Sequence, residues 1–86
     1  MAFPPKGVYR PRMDVIDLRR QLATVEKYVA GGEAAIERQH NVIAGIEADK
    51  HDAELARRFL IILQRTLALY IDDRDRLRRE VARASL

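Results

Sequence analysis

Between Ala53 and Ala84 apolar residues return at alternating steps of three and four: Ala53, Ala56, Leu60, Leu63, Leu67, Tyr70 and, beyond Arg74, Leu77, Val81 and Ala84. This is the stripe of a long helix packed in a coiled-coil-like seam. Upstream, Val15, Leu18, Leu22, Val25, Val29, Gly32, Ile36, Gln39, Ile43 and Ile46 keep the same rhythm. Ten successive matches predict one helix carried through Gly31-Gly32, although a mid-helix Gly costs about 1 kcal/mol relative to Ala and Gly pairs are places where helices kink. Asp14 is the predicted N-cap, with Asp17 favourable in the first turn; Lys50 and His51 make a turn, and Asp52 caps the second helix.

So short a connection makes the two helices antiparallel neighbours. The pattern therefore predicts an all-α fold, an antiparallel two-helix hairpin, with a helix over 14–49, a turn at 50–52 and a helix over 53–84. Residues 1–13 hold Pro4, Pro5, Pro11 and Gly7 beside Lys6, Arg10 and Arg12, which reads as an extended basic N-terminal arm. Pairing the seams symmetrically about the turn sets Ile43 opposite Leu60, Ile36 opposite Leu67, Gly32 opposite Tyr70 and Val25 opposite Leu77. In that register the missing side chain of Gly32 makes room for Tyr70. Glu37 falls opposite Arg65 and Glu26 opposite Arg76, as interhelical ion pairs require.

The second helix carries a further stripe, Leu55, Phe59, Ile62, Thr66 and Leu69, beside the first. One partner helix cannot cover both stripes, and a helix with two apolar faces typically has two neighbours, as in a four-helix bundle. The stripe is the predicted interaction face, and a homodimer the predicted assembly.

Composition sharpens this picture. An 86-residue chain is one small domain, near the size at which a single core barely suffices. With 48% hydrophobic and 34% charged residues it is too apolar for general disorder. It has no cysteine, which excludes disulfides, thiolate-bound zinc and thiol nucleophiles. No apolar run approaches the ~20 residues of a membrane span or the form of a signal peptide, which predicts a cytoplasmic protein without a membrane partner. Of the 16 basic residues, 13 are arginines, suited to carboxylate or phosphate forks.

Charge is distributed lengthwise. Residues 1–25 and 76–86 carry nine basic and three acidic groups, whereas 26–75 carry seven and ten. The hairpin gathers Arg19, Arg20, Arg78, Arg79 and Arg83 into a basic open end, suited to an acidic protein partner. Nucleic acid is disfavoured as a partner, because Asp72, Asp73, Asp75 and Glu80 neutralise much of the same run at helical spacing.

Chemistry is sparse. Glu37 and His40 have the spacing by which a carboxylate and an imidazole project together in di-metal bundles, but the residues expected to face them, Ile62 to Arg65, supply no carboxylate. Glu47 and His51 read as a solvated pair at a helix end. Apart from tyrosines the hydroxyls are Thr24, Thr66 and Ser85, scattered along the helices, so no nucleophile meets a base. No catalytic residue, metal site or cofactor is predicted.

Val29-Ala30-Gly31-Gly32-Glu33, Ile36-Glu37-Arg38-Gln39, the His51-Asp52 turn and Asp73-Arg74-Asp75-Arg76-Leu77 together resemble a group of short uncharacterised helical-hairpin proteins of alpha-proteobacteria, over roughly residues 26–81. In that group Gly often precedes the His-Asp turn, where this chain has Lys50, which implies a less clean end to the first helix here. The resemblance implies no activity. The function expected is that of a small non-enzymatic protein–protein interaction module: an adaptor, regulator or accessory subunit. The alternative is a basic helical module that binds nucleic acid.

Overall fold

A computed structural model describes residues 14–85; the predicted arm over 1–13 lies outside them. The chain forms two helices, α1 (Val15–Ala48) and α2 (Glu54–Ala84), packed side by side as an antiparallel hairpin. Asp14 caps α1 as predicted, its Oδ1 accepting the Asp17 N–H at 3.0 Å. The helix runs unbroken through Gly31-Gly32. Its 34 residues correspond to a rod of about 51 Å.

α1 ends cleanly. The Lys50 N–H donates to the Glu47 carbonyl at 2.9 Å and the His51 N–H to the Ile46 carbonyl at 3.0 Å, the paired bonds of a Schellman motif. Lys50 supplies the left-handed residue that this motif needs, at φ 61°. The N-cap of α2 is Ala53 and not the predicted Asp52, which stands one residue earlier and accepts the Glu54 N–H on its Oδ1 at 3.0 Å. Arg57 of α2 reaches back across the turn to the Glu47 carboxylate.

The predicted seams are the ones that close. Leu18, Val25, Val29, Ile43, Ala53 and Leu77 are buried, and the remaining seam positions are half-buried apart from Ala84, which frays into solvent. Gln39, a polar residue in an apolar seam, donates from Nε2 to the Ala56 carbonyl at 2.9 Å.

The pairing across the seam differs from the symmetrical one. A β-carbon on Gly32 would lie 3.2 Å from Leu67 Cδ1, so it is Leu67 and not Tyr70 that fills the space beside Gly32. Tyr70 instead meets Tyr28, with ring centroids 5.3 Å apart. The polar bridges between the helices keep the same register: Arg19 to Ser85, Glu26 to Arg78, and Glu47 to Arg57. As the α1 residue number rises by seven and then twenty-one, its α2 partner falls by the same amounts. Glu26 therefore pairs with Arg78 rather than Arg76. Glu37 and Arg65 are both exposed and make no ion pair with each other. The physical reason lies in the turn. The left-handed Lys50 reverses the chain so abruptly that Ala53, at the head of α2, is already buried in the seam at 2% exposure. A symmetrical register would have matched Ala56 to Ile46, the last seam residue of α1.

Candidate functional site

The hairpin is a single layer of two helices, so it has two broad faces, and they differ in kind. One carries the polar bridges between the helices. Arg19 Nη2 donates to Ser85 Oγ at 3.3 Å and Arg78 Nη2 to Glu26 Oε2 at 3.4 Å, and Glu26, Glu33, Arg74 and Arg78 line a shallow polar cleft of about 240 Å³. Arg74 interrupts the apolar seam at a side-chain exposure of 23%, and its Nε and Nη2 both donate to Asp75 Oδ1, at 3.1 and 3.0 Å. This face is predominantly polar and internally paired, with Ile16 and Ile61 as isolated exposed apolar residues beside Arg19 and Arg57.

The other face is apolar. Along α2, Leu55, Phe59, Ile62 and Leu69 are 77%, 50%, 55% and 69% exposed, and Thr66 among them is half-buried. The structure thus places the predicted stripe outside the seam, where it was expected. α1 adds two residues that the sequence reading missed, Tyr28 and Val42, 53% and 48% exposed. They stand fourteen residues apart with Ala35 midway, a heptad spacing on the flank of the seam, and that periodicity was the available signal. Gly31 and Gly45 each follow one of them by three residues, on the same side of the helix, and a β-carbon at either would meet nothing within 4 Å. Ile16 and Ile61 are also exposed, but helical spacing puts them off this face.

Towards the open end this apolar face gives way to a cleft of about 380 Å³ lined by Arg20, Gln21, Thr24, Tyr28, Tyr70 and Asp73. The Tyr28–Tyr70 pair forms its inner wall. Beyond it, Arg76 donates to Asp73 Oδ1 and Glu80 Oε2, at 2.5 and 2.8 Å. Those two hydrogen bonds, Asp73 first, hold the Arg76 guanidinium even more firmly in its charged form than usual.

The basic open end is less concentrated than the sequence suggests. Arg19 and Arg78 are engaged on the polar face, Arg20 lines the apolar-side cleft with Asp17 3.9 Å away, and Arg79 and Arg83 are exposed with no acidic partner among the described residues. The five arginines surround the tip without converging on one surface. Glu37 and His40 are exposed on α1. Among the described residues no three His, Asp or Glu side chains are placed to hold a metal ion, and no helix is long and apolar enough to cross a membrane.

Neither a known protein family, a curated protein nor a solved structure matches this chain.

Proposed function

We propose that this protein is a small non-enzymatic interaction module, an adaptor, regulator or accessory subunit acting in the cytoplasm, that works by burying its apolar face in a four-helix bundle. The observation that supports this reading is the contrast between the two faces. Polar bridges close one of them, while the other leaves Leu55, Phe59, Ile62, Leu69, Tyr28 and Val42 in water. Contiguous exposure of that kind marks an association surface in a soluble protein. The first partner is a second copy, giving a homodimer, and the tip with Arg79 and Arg83, unpaired among the described residues, is left to meet an acidic protein surface.

Those same two arginines favour a second reading, a basic module for nucleic acid. Against it, Arg76 is held between Asp73 and Glu80, and Arg78 is occupied by Glu26. Half of the basic run is thus neutralised before any phosphate arrives.

Sedimentation equilibrium of the full chain and of a Phe59→Glu/Ile62→Glu variant tests the proposal. The parent should associate at micromolar concentration, and the variant should sediment as a soluble helical monomer. A parent that remains monomeric at several hundred micromolar would remove the basis for self-association through this face.

A further inference from the structure

We infer that two copies dock with their turns at the same end, so that α2 of each protomer lies on α1 of the other about a two-fold axis parallel to the helices. The inference rests on the apolar face being the docking surface, and it adds which helix meets which.

The need for a second layer comes from the size of the core. Six apolar residues are buried in the hairpin, and only Leu77 among them is a large side chain withdrawn entirely from water. Domains bury their apolar stripes between at least two packed layers, and this hairpin supplies one. The six exposed apolar side chains offer about 650 Å² at roughly 150–230 Å² per fully exposed side chain, close to the ~800 Å² that each partner contributes to a standard interface.

Shape then selects the arrangement. The α2 half of the face is bulky, with Leu55, Phe59, Ile62 and Leu69. The α1 half is low at Gly31 and Ala35, and low again at Gly45, with open space over both glycines; Arg38, exposed at the same heptad spacing, stands between the two low stretches with a side chain long enough to swing outward. Ridge meets trough only when α2 of one copy covers α1 of the other. The alternative two-fold, perpendicular to the helices, sets α2 on α2 and α1 on α1. Four large side chains from each copy would then hold one helix pair apart while a gap remained above the glycines, against the uniform 8–10 Å spacing of packed helices.

Position along the hairpin agrees. The apolar face occupies the half nearer the turn, and the open end of the same face holds Asp73, Arg76 and Glu80. Docking with turns together superposes the two apolar patches over their full length. Neighbouring helices are antiparallel in either arrangement, so their dipoles suit both and the choice rests on shape. An axis along the helices preserves height, so each residue of α1 sits in the dimer at the level it has in its own hairpin. Gly32 is level with Leu67; by the same register Lys27 is level with Asp72. The two lie at the outer edge of the face, exposed and opposite in charge, and the dimer brings Asp72 beside the partner's Lys27.

The chain has no cysteine, so His51→Cys and Ser85→Cys each create one attachment point for a spin label, at the turn and at the open end. Labelled full-length protein, shown by sedimentation to be dimeric, should give a label-to-label distance below about 30 Å for both variants. With turns at opposite ends and the patches still overlapping, the helix rise of 1.5 Å per residue puts the turn labels about 45 Å apart and the open-end labels beyond about 60 Å. That result would overturn the arrangement while leaving self-association intact. A monomer would overturn both, and a stoichiometry above two would overturn the arrangement alone. As a separate control, Gly31→Leu should raise the dimer dissociation constant at least tenfold with helix content unchanged; an unchanged constant would show that Gly31 is not covered.

Discussion

A β-carbon placed on Gly32 comes within 3.2 Å of Leu67 Cδ1. The contact is tight but falls on the end of a flexible side chain, so a methyl group there is tolerable and anything larger is not. Gly32→Ala should change stability little, the gain of up to about 1 kcal/mol from helix propensity being offset by the displacement of Leu67. Gly32→Leu should destabilise by ~1–3 kcal/mol through overpacking. The relief should come from Leu67→Ala and not from Tyr70→Ala. Urea unfolding of the two double variants at one protein concentration decides it, and rescue by Tyr70→Ala would mean that the helices are paired in the symmetrical register.

Lys50 holds φ at 61° so that its own N–H and that of His51 can close the end of α1. A residue with a β-carbon pays about 1–2 kcal/mol for that left-handed conformation, and glycine does not, although glycine loses more freedom on folding. Lys50→Gly should therefore raise stability by about 0.5–1 kcal/mol, and Lys50→Val should lower it by more than that. If the thermal midpoint falls in the glycine variant, the Lys50 side chain contributes something that the backbone geometry does not account for.

The hairpin and both seams were legible because burial follows the three-four rhythm almost residue for residue, from Leu18 to Leu77. The register was not. Periodicity repeats every half-heptad, so sliding one seam by that step leaves the apolar match nearly as good, and the choice is made by a turn whose geometry depends on Lys50 adopting a glycine-like φ. Glu26 shows at atomic scale that the symmetrical pairing does not hold: it pairs with Arg78 and not with Arg76. The α2 stripe was readable because it is bulky. Its α1 counterpart was hidden, since Tyr28 and Val42 are separated by Gly31, Ala35 and the charged Arg38, which leave no hydrophobic signal.

Gln39 donates to the Ala56 carbonyl from within the apolar seam. A single polar side chain at such a position fixes register at a cost in stability. Gln39→Leu should therefore melt at a higher temperature than the parent. Interhelical distances between spin labels on Arg38→Cys and Arg65→Cys should at the same time broaden, as neighbouring registers become accessible. A variant that is more stable and equally well defined would show that the tight turn at Lys50 sets the register without help.

The tip offers the sharpest test between a protein partner and a nucleic acid. Arg79 and Arg83 are exposed and unpaired among the described residues, whereas Arg76 and Arg78 are held by Asp73, Glu80 and Glu26. Any partner recruited by the free pair should be lost steeply with salt, because exposed charges are screened within ~8–10 Å at physiological ionic strength. Salt dependence is common to acidic proteins and phosphates, so the discriminating probe is unrelated duplex DNA. A nucleic-acid module should bind it non-specifically at about 10⁻⁴–10⁻⁶ M, with affinity rising with duplex length. Here the duplex should show no binding in that range, since Asp72, Asp73 and Glu80 flank the free arginines and repel phosphates. The Arg79→Ala/Arg83→Ala variant should also leave dimerisation unchanged, because neither residue belongs to the apolar face. Micromolar DNA binding that disappears in that variant would reverse the assignment and make the tip, rather than the apolar face, the working surface of the protein.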